Sequence, residues 1–176
     1  YRCLNMDRNI KEKCKKIKII LTDVDGVLTD GGMYYSEKGD IMKKFHARDG
    51  MAISLLKKNG LMTMIITKEK TVFVKKWSKK MKIEKLYDGI NQKEEILKTI
   101  CEKYNVKKDE LAYIGDDVND INLMKIVGLS VVPKDANLEA KKYANYISTL
   151  NGGKGVLREI ADLILTIRFG DKKKLY

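Results

Sequence analysis

The chain has 176 residues, 44% hydrophobic and 34% charged, which is enough for one substantial core and too little for two ordinary domains. One proline, 13 glycines and no low-complexity tract exclude a collagen-like or extensively disordered chain. The formal net charge of +12 is compatible with nucleic acid, an acidic surface or an anionic small molecule as a partner.

Apolar stretch length, lysine distribution and cysteine count limit the possible partners and the location of the protein. The apolar stretches are much shorter than the roughly 20 residues of a bilayer-spanning helix, and no signal-peptide pattern opens the chain, so we expect a cytoplasmic protein without a membrane partner. Lysine pairs are scattered over predicted helix faces with few aromatic neighbours, which favours a solvated surface over nucleic-acid binding. Cys3, Cys14 and Cys101 are odd in number and form no CxxC pair, so neither a disulfide framework nor a zinc cluster is expected.

The N-terminal residues 1–16 are polar and basic, and we predict that they form an extension before a domain at 17–167, with a tail at 168–176. Short β-enriched apolar runs predict buried strands at 17–22, 61–66, 111–114 and 129–132. Amphipathic periodicity between and after them predicts helices at 49–59, 70–81, 91–104, 118–127 and 154–167.

Strands that alternate with helices predict an α/β fold, with a doubly wound, Rossmann-like parallel sheet. Residues 27–46 interrupt the alternation with a glycine-rich turn and two short β-like runs, which predicts a small β-hairpin flap near the end of the first strand. No domain-sized insertion occurs, so we expect no large cap domain. Ligands of such folds bind outside the carboxyl ends of the strands, where candidate functional residues are therefore sought.

Polar residues follow the predicted strands at this edge. Asp23 and Asp25 follow the first strand and Thr67 follows the second, while Lys93 lies in the first turn of the helix predicted at 91–104. A further run, Gly115-Asp116-Asp117-Val118-Asn119-Asp120, follows the third strand. Each fragment alone could be a turn or a helix cap. An EF-hand beginning at Asp23 is excluded, because Leu28 stands where that loop requires glycine.

Together these residues predict phosphoryl chemistry around a hard cation. Crowded carboxylates repel one another unless a cation compensates them, and oxygen ligands favour Mg²⁺ over zinc or copper. Asp23 would be the nucleophile and Asp25 the proton donor and acceptor, while Thr67 and Lys93 would bind the phosphoryl oxygens. The predicted metal ligands are Asp23, Asp25, Asp116 and Asp120.

This ordered set resembles the haloacid dehalogenase superfamily. The closer resemblance, over about residues 17–165, is to 3-deoxy-D-manno-octulosonate 8-phosphate phosphatases and their relatives that act on nine-carbon sialic-type sugar phosphates. The passages at 22–31, 113–120 and 152–159 carry it. It implies a Mg²⁺-dependent phosphatase without a large cap, usually a homotetramer in which a neighbouring subunit helps to close the site. Aromatic residues of the flap could pack across subunits or on their own domain.

The resemblance also suggests substrate contacts. Arg48, after the flap, and Arg158, delivered by a neighbouring subunit, would bind the sugar carboxylate, although both could be ordinary surface charges. After Thr67, Lys68-Glu69 replaces the Gly-Arg that octulosonate phosphatases commonly show. The string Glu69-Lys70-Thr71 is similar to the nine-carbon branch and makes Glu69 a candidate substrate contact, whereas Arg48-Asp49-Gly50 resembles the octulosonate branch.

We therefore predict an acidic sugar phosphate as substrate, with a nine-carbon 2-keto-3-deoxy or acylneuraminate 9-phosphate favoured and 3-deoxy-D-manno-octulosonate 8-phosphate as the alternative. A different alternative is a weakly active oligomerisation module, since similar domains are attached to sialic-acid cytidylyltransferases. Nucleic-acid binding ranks last.

Overall fold

A computed structural model describes residues 7–174, apart from the side chain of Asp171. Cys3 and the outer parts of the predicted extension and tail, residues 1–6 and 175–176, lie outside the described residues. The strands are β1 (Ile19–Thr22), β2 (Tyr34–Ser36), β3 (Gly39–Met42), β4 (Met62–Thr67), β5 (Lys85–Asp88), β6 (Leu111–Ile114), β7 (Leu129–Val132) and β8 (Tyr146–Ile147). The α-helices are α1 (Arg8–Lys16), α2 (Ala47–Lys58), α3 (Val72–Met81), α4 (Ile96–Tyr104), α5 (Ile121–Met124), α6 (Leu138–Lys141) and α7 (Val156–Phe169).

The main sheet is six-stranded and parallel, in the order β5-β4-β1-β6-β7-β8. Strands β2 and β3 form a separate antiparallel hairpin. The predicted doubly wound α/β fold with a small hairpin flap is therefore confirmed. We keep the name flap for residues 27–46.

The core explains why β1 lies at the centre of the sheet. Its four residues are all buried, and the side chains of the three apolar ones alternate between two apolar clusters. Ile20 belongs to the cluster covered by α1, α2 and α7, whereas Ile19 and Leu21 belong to the cluster covered by α4 and α5. Helices therefore cover both faces, as a continuously apolar parallel strand requires.

The register of the central strands positions the functional edge. Thr22, the last residue of β1, pairs with Ile65 of β4 on one side and with Ile114 of β6 on the other. The segments that follow these three strands therefore emerge side by side. This places the Asp23 loop between Thr67 and the loop that begins at Gly115.

Packing begins earlier in the chain than the predicted domain start at Ile17. Helix α1 precedes that residue, and its Ile10 and Cys14 are buried in the core. Two apolar residues four positions apart form one short face on a helix, which is enough to dock it although the segment is mostly charged. Among the helices of residues 7–174, none is long and apolar enough to cross a bilayer.

The structure contains two edge strands, β5 and β8, and the short helix α6, none of which was predicted from the sequence. Strand β5 is partly exposed along its length, and β8 contains two residues. Neither has the continuous apolar run by which the central strands were predicted, because an edge strand has fewer neighbours to bury it.

Candidate active site

A cleft of about 270 Å³ opens at the carboxyl edge of the sheet. The structure brings five of the predicted site residues to its wall: Asp23, Asp25, Thr67, Glu69 and Asp116. Each comes from a segment at the end of a central strand. The loops after β1, β4 and β6 therefore build one site from distant parts of the sequence, as predicted for the carboxyl edge of a parallel sheet.

An acidic cluster lies at the floor of this cleft. Oxygen atoms of Asp23, Asp116 and Asp120 lie within 4.8 Å of one another. Asp23 is 7% exposed and Asp120 is fully buried. Gly26 makes room for this cluster, because a Cβ atom at that residue would lie 2.0 Å from Asp116 Oδ2 and its φ of +79° also disfavours a side chain.

Lys93 supplies the positive charge in contact with this cluster. Its Nζ lies 2.7 Å from Asp23 Oδ2 and 2.7 Å from Asp120 Oδ1, and its side chain is 1% exposed. Burial opposes the charge of the amine, but the charges and hydrogen bonds of these two carboxylates outweigh it and raise the pKa of Lys93. A buried lysine with two carboxylate partners stays protonated and can attract phosphoryl oxygens.

Asp120 holds the loop after β6 in place. Its Oδ1 accepts hydrogen bonds from Lys93 and, at 2.6 Å, from the hydroxyl of Tyr113. Its Oδ2 accepts from the backbone amides of Asp116, at 2.8 Å, and Asp117, at 3.3 Å. A carboxylate offers about four acceptor positions, so these four donors from the protein already occupy the acceptor positions of Asp120. Tyr113 was not among the predicted site residues, and its signal is a phenol within an otherwise apolar buried strand.

The electrostatics of Asp116 follow from its crowded position. Burial first, and then the charges of Asp23 and Asp120, raise the pKa of Asp116 to about 8. Burial also raises the pKa of Asp23 above its ordinary value, although Lys93 opposes this shift. The acidic cluster therefore holds protons near neutral pH that a divalent cation would displace.

Asp25 lies beside this cluster but has different partners. Its Oδ1 is 2.5 Å from Lys43 Nζ and 3.3 Å from the Thr29 hydroxyl. Lys43 also lies 3.3 Å from Glu69 Oε2. The predicted metal set included Asp25, but its carboxylate is not part of the group of converging oxygens. Lys43 was missed from the sequence, where nothing distinguishes it from the neighbouring Lys44.

The two predicted substrate arginines do not line the cleft of their own chain. Arg48 is exposed near the start of α2. Arg158 lies on α7, where its Nε donates to Asp162 at 2.8 Å. The backbone N–H of Arg158, in the first turn of α7, donates to the buried carboxyl group of Asp49 at 2.9 Å. Asp49 thus caps the N-terminus of α7, because the N-cap residue, Gly155, has no side chain that could do so.

The glycine-rich passage before α7 packs against the loop that carries Asp25. A Cβ atom at Gly152 would lie 2.1 Å from the carbonyl oxygen of Gly26, and Gly153 donates its N–H to Val27 at 2.9 Å. These glycines permit close contact between two backbones. This packing explains their presence without a substrate contact.

Comparison with known proteins identifies the family. The haloacid dehalogenase-like hydrolase family matches residues 77–160. The 3-deoxy-D-manno-octulosonate 8-phosphate phosphatase KdsC of Escherichia coli K12 is 35% identical over 153 residues, which are 87% of this chain and 81% of that protein. The chain belongs to the KdsC family of haloacid dehalogenase-like phosphatases.

Solved structures agree with this membership. The octulosonate 8-phosphate phosphatase of Yersinia pestis superposes with a TM-score of 0.90 at 32% identity, covering 95% of this chain and 89% of that one. The enzyme of Moraxella catarrhalis, solved with a magnesium ion, a phosphate ion and a KDO molecule, also has a TM-score of 0.90, at 30% identity and with coverage of 94% and 96%. The prediction of a phosphatase of this family is confirmed.

Proposed function

We propose that this KdsC-family phosphatase hydrolyses the phosphomonoester of an acidic ulosonate sugar in a Mg²⁺-dependent reaction through an aspartyl-phosphate on Asp23. The observation that carries the proposal is the convergence of three carboxylates within 4.8 Å, in contact with the buried ammonium of Lys93. Such a cluster suits a divalent cation and a phosphoryl group better than it suits a neutral ligand.

The residues of the acidic cluster fit Mg²⁺. They offer only hard oxygen donors, and Gly26 keeps the space beside Asp116 open. We infer that Asp23 and Asp116 hold the ion, with Asp120 behind them. When bound, the ion supplies positive charge that offsets the charge of the phosphoryl oxygens.

The protein groups divide the reaction between them. A carboxylate oxygen of Asp23 attacks phosphorus as the bond to the sugar oxygen breaks, while Asp25 gives its proton to that oxygen. Water then attacks the phosphorus of the aspartyl-phosphate, Asp25 takes the proton from the water, and phosphate and free Asp23 result. Lys93 and the Thr67 hydroxyl orient the phosphoryl oxygens throughout.

The relatives named above favour the eight-carbon 3-deoxy-D-manno-octulosonate 8-phosphate as substrate. A second candidate is a nine-carbon 2-keto-3-deoxy or acylneuraminate 9-phosphate. It is favoured by Glu69, which lines the cleft where the octulosonate enzymes commonly carry arginine. The acidic cluster and Lys93 together argue against the alternative of a weakly active oligomerisation module of a sialic-acid cytidylyltransferase.

The test is Mg²⁺-dependent phosphate release from both substrates. Asp23→Asn should abolish release, whereas Asp109→Asn should leave it nearly unchanged, because Asp109 is exposed and lies before β6, at the opposite edge of the sheet from the cleft. Release by Asp23→Asn at the wild-type rate would overturn the mechanism. Glu69→Arg should shift preference toward the eight-carbon substrate. The matched control is Glu84→Arg, at the opposite end of β5 from the cleft, which should not change the preference.

We also propose that the protein is a homotetramer in which the flap contacts another subunit. Met33, Tyr35 and Ile41 of the flap are 70%, 63% and 58% exposed, which is unusual for neighbouring apolar residues on one hairpin. In that assembly Arg48, and Arg158 of a neighbouring subunit, would contact the sugar carboxylate. Light scattering should report four chains for the wild type and fewer for Tyr35→Asp, and a monomeric wild type would exclude the assembly.

A further inference from the structure

The base of the flap carries a partly buried ammonium group that the mechanism above does not use. Lys43 directly follows β3, and its side chain is 8% exposed, whereas that of Lys44 is 51% exposed. Lysine is rarely buried without a partner, because the charge loses its hydration. Lys43 has two partners, Asp25 at 2.5 Å and Glu69 at 3.3 Å.

These two partners belong to different loops of the active site. Asp25 follows β1 and Glu69 follows β4, and both line the cleft. Lys43 comes from a third segment, the flap, which forms its own two-stranded sheet. The amine therefore connects the flap to both loops. Burial opposes its charge, but while Asp25 is ionised the hydrogen bond and charge of Asp25, with those of Glu69, outweigh burial and raise the pKa of Lys43. When Asp25 is protonated on Oδ2, its Oδ1 can still accept from the amine and Glu69 keeps its charge.

The contacts also orient the Asp25 carboxylate. Both donors, the Lys43 amine and the Thr29 hydroxyl at 3.3 Å, reach the same oxygen, Oδ1. Within residues 7–174, no hydrogen bond to Oδ2 is found. The short contact with Lys43 restrains rotation of the carboxylate, with the Thr29 hydroxyl nearby, so Oδ2 is the oxygen left to exchange a proton.

We propose that Lys43 is a positioning residue that holds Asp25 for proton transfer to the leaving alcohol. The proposal rests on the proposed function, in which Asp25 is the proton donor. As the bond from phosphorus to the sugar oxygen breaks, the proton on Asp25 Oδ2 moves to that oxygen and the leaving group departs as a neutral alcohol. Lys43 keeps its protons throughout and holds the Asp25 carboxyl group in the orientation that aims Oδ2 at the leaving oxygen.

The choice of leaving group separates this role from a general effect on folding. A sugar alkoxide is a poor leaving group and needs the proton, whereas p-nitrophenolate leaves without one. We compare kcat/KM for the two, because this quantity reports the steps up to departure of the leaving group and excludes hydrolysis of the aspartyl-phosphate. General acid catalysis contributes typically about 10²- to 10⁴-fold, of which misorientation would forfeit about 10- to 100-fold.

The experiment measures Lys43→Met, Lys43→Arg and the control Lys44→Met on three esters: octulosonate 8-phosphate, p-nitrophenyl phosphate and glycerol 3-phosphate. Glycerol 3-phosphate has a poor leaving group but no sugar for Glu69 to contact, so it should lose as much as the octulosonate ester; a loss confined to the octulosonate ester would overturn the proposal. Lys43→Met should lower kcat/KM about 10- to 100-fold for the sugar phosphate and less than about threefold for the aryl ester. Lys43→Arg keeps a charged donor and should recover part of the loss. Lys44→Met should change kcat/KM for none of the three esters, because Lys44 is exposed and lies 3.6 Å from Asp30 instead.

Equal losses on all three esters would show a structural role and overturn the proposal, as would no loss on any of them. If Lys43→Met does not fold, Lys43→Gln replaces it in the same comparison. If the wild type does not hydrolyse the octulosonate ester, the proposed substrate fails and the ratio is measured with glycerol 3-phosphate. A wild type that hydrolyses only the aryl ester would overturn the positioning role as well.

Discussion

Binding of Mg²⁺ should displace protons from the acidic cluster, because the cluster is protonated in part when no cation is bound. Burial and the charges of Asp23 and Asp120 raise the pKa of Asp116 to about 8. At pH 7 such a group is protonated in about 0.9 of the molecules, and at pH 9 in about 0.1. A carboxylate must lose its proton to bind a metal ion, so each Mg²⁺ ion that binds should release about one proton at pH 7 and only about 0.1 at pH 9.

The same linkage sets the affinity for the ion. Below pH 8 the fraction of ionised Asp116 rises about tenfold for each pH unit, and Asp23, with its raised pKa, adds to this, so the apparent association constant for Mg²⁺ should rise at least about tenfold from pH 6 to pH 7. Above pH 8 the rise should level off. A site whose carboxylates have lowered pKa values would show the same rise only at lower pH, so its affinity would already be constant at pH 6.

Isothermal titration calorimetry in buffers of different ionisation enthalpy measures the released protons directly. The observed heat at pH 7 should depend on the buffer with a slope of about one proton per ion. Asp109→Asn, an exposed residue at the opposite edge of the sheet, should keep that slope. Asp116→Asn should lose it together with most of the affinity. Heats that do not depend on the buffer at pH 7 would refute the reasoning.

Two further perturbations test the packing around the site. Gly26→Ala should abolish Mg²⁺ binding and phosphatase activity, because the Cβ atom of the new alanine would lie 2.0 Å from Asp116 Oδ2. Wild-type affinity of this variant for Mg²⁺ in calorimetry would contradict this expectation. Burial raises the pKa of Asp49 to about 7 from 3.8, so ionisation of Asp49 should reduce the free energy of unfolding by up to about 4 kcal/mol as pH rises from 4 to 7. Asp49→Asn should therefore gain stability relative to the wild type over that range in urea unfolding, and a difference independent of pH would exclude this effect.

Much of the catalytic edge could be predicted without coordinates, since it depends on local patterns. Each central strand is a continuous apolar run that is recognisable from its own residues, and strands alternating with helices make the sheet parallel. Once the strands are parallel, their carboxyl ends must meet at one edge. The convergence of Asp23, Thr67 and Asp116 follows from that geometry alone.

The contacts that hold the site together depend on partners distant in the chain. Lys43 and Lys44 are chemically identical, and only the path of the flap brings Lys43 to Asp25, 18 residues away, and to Glu69, 26 residues away. Likewise Asp49 meets the Arg158 N–H across 109 residues. Side-chain type reports what a residue can bind, but the packing of the whole chain determines which partner is within hydrogen-bonding distance and whether water is excluded there.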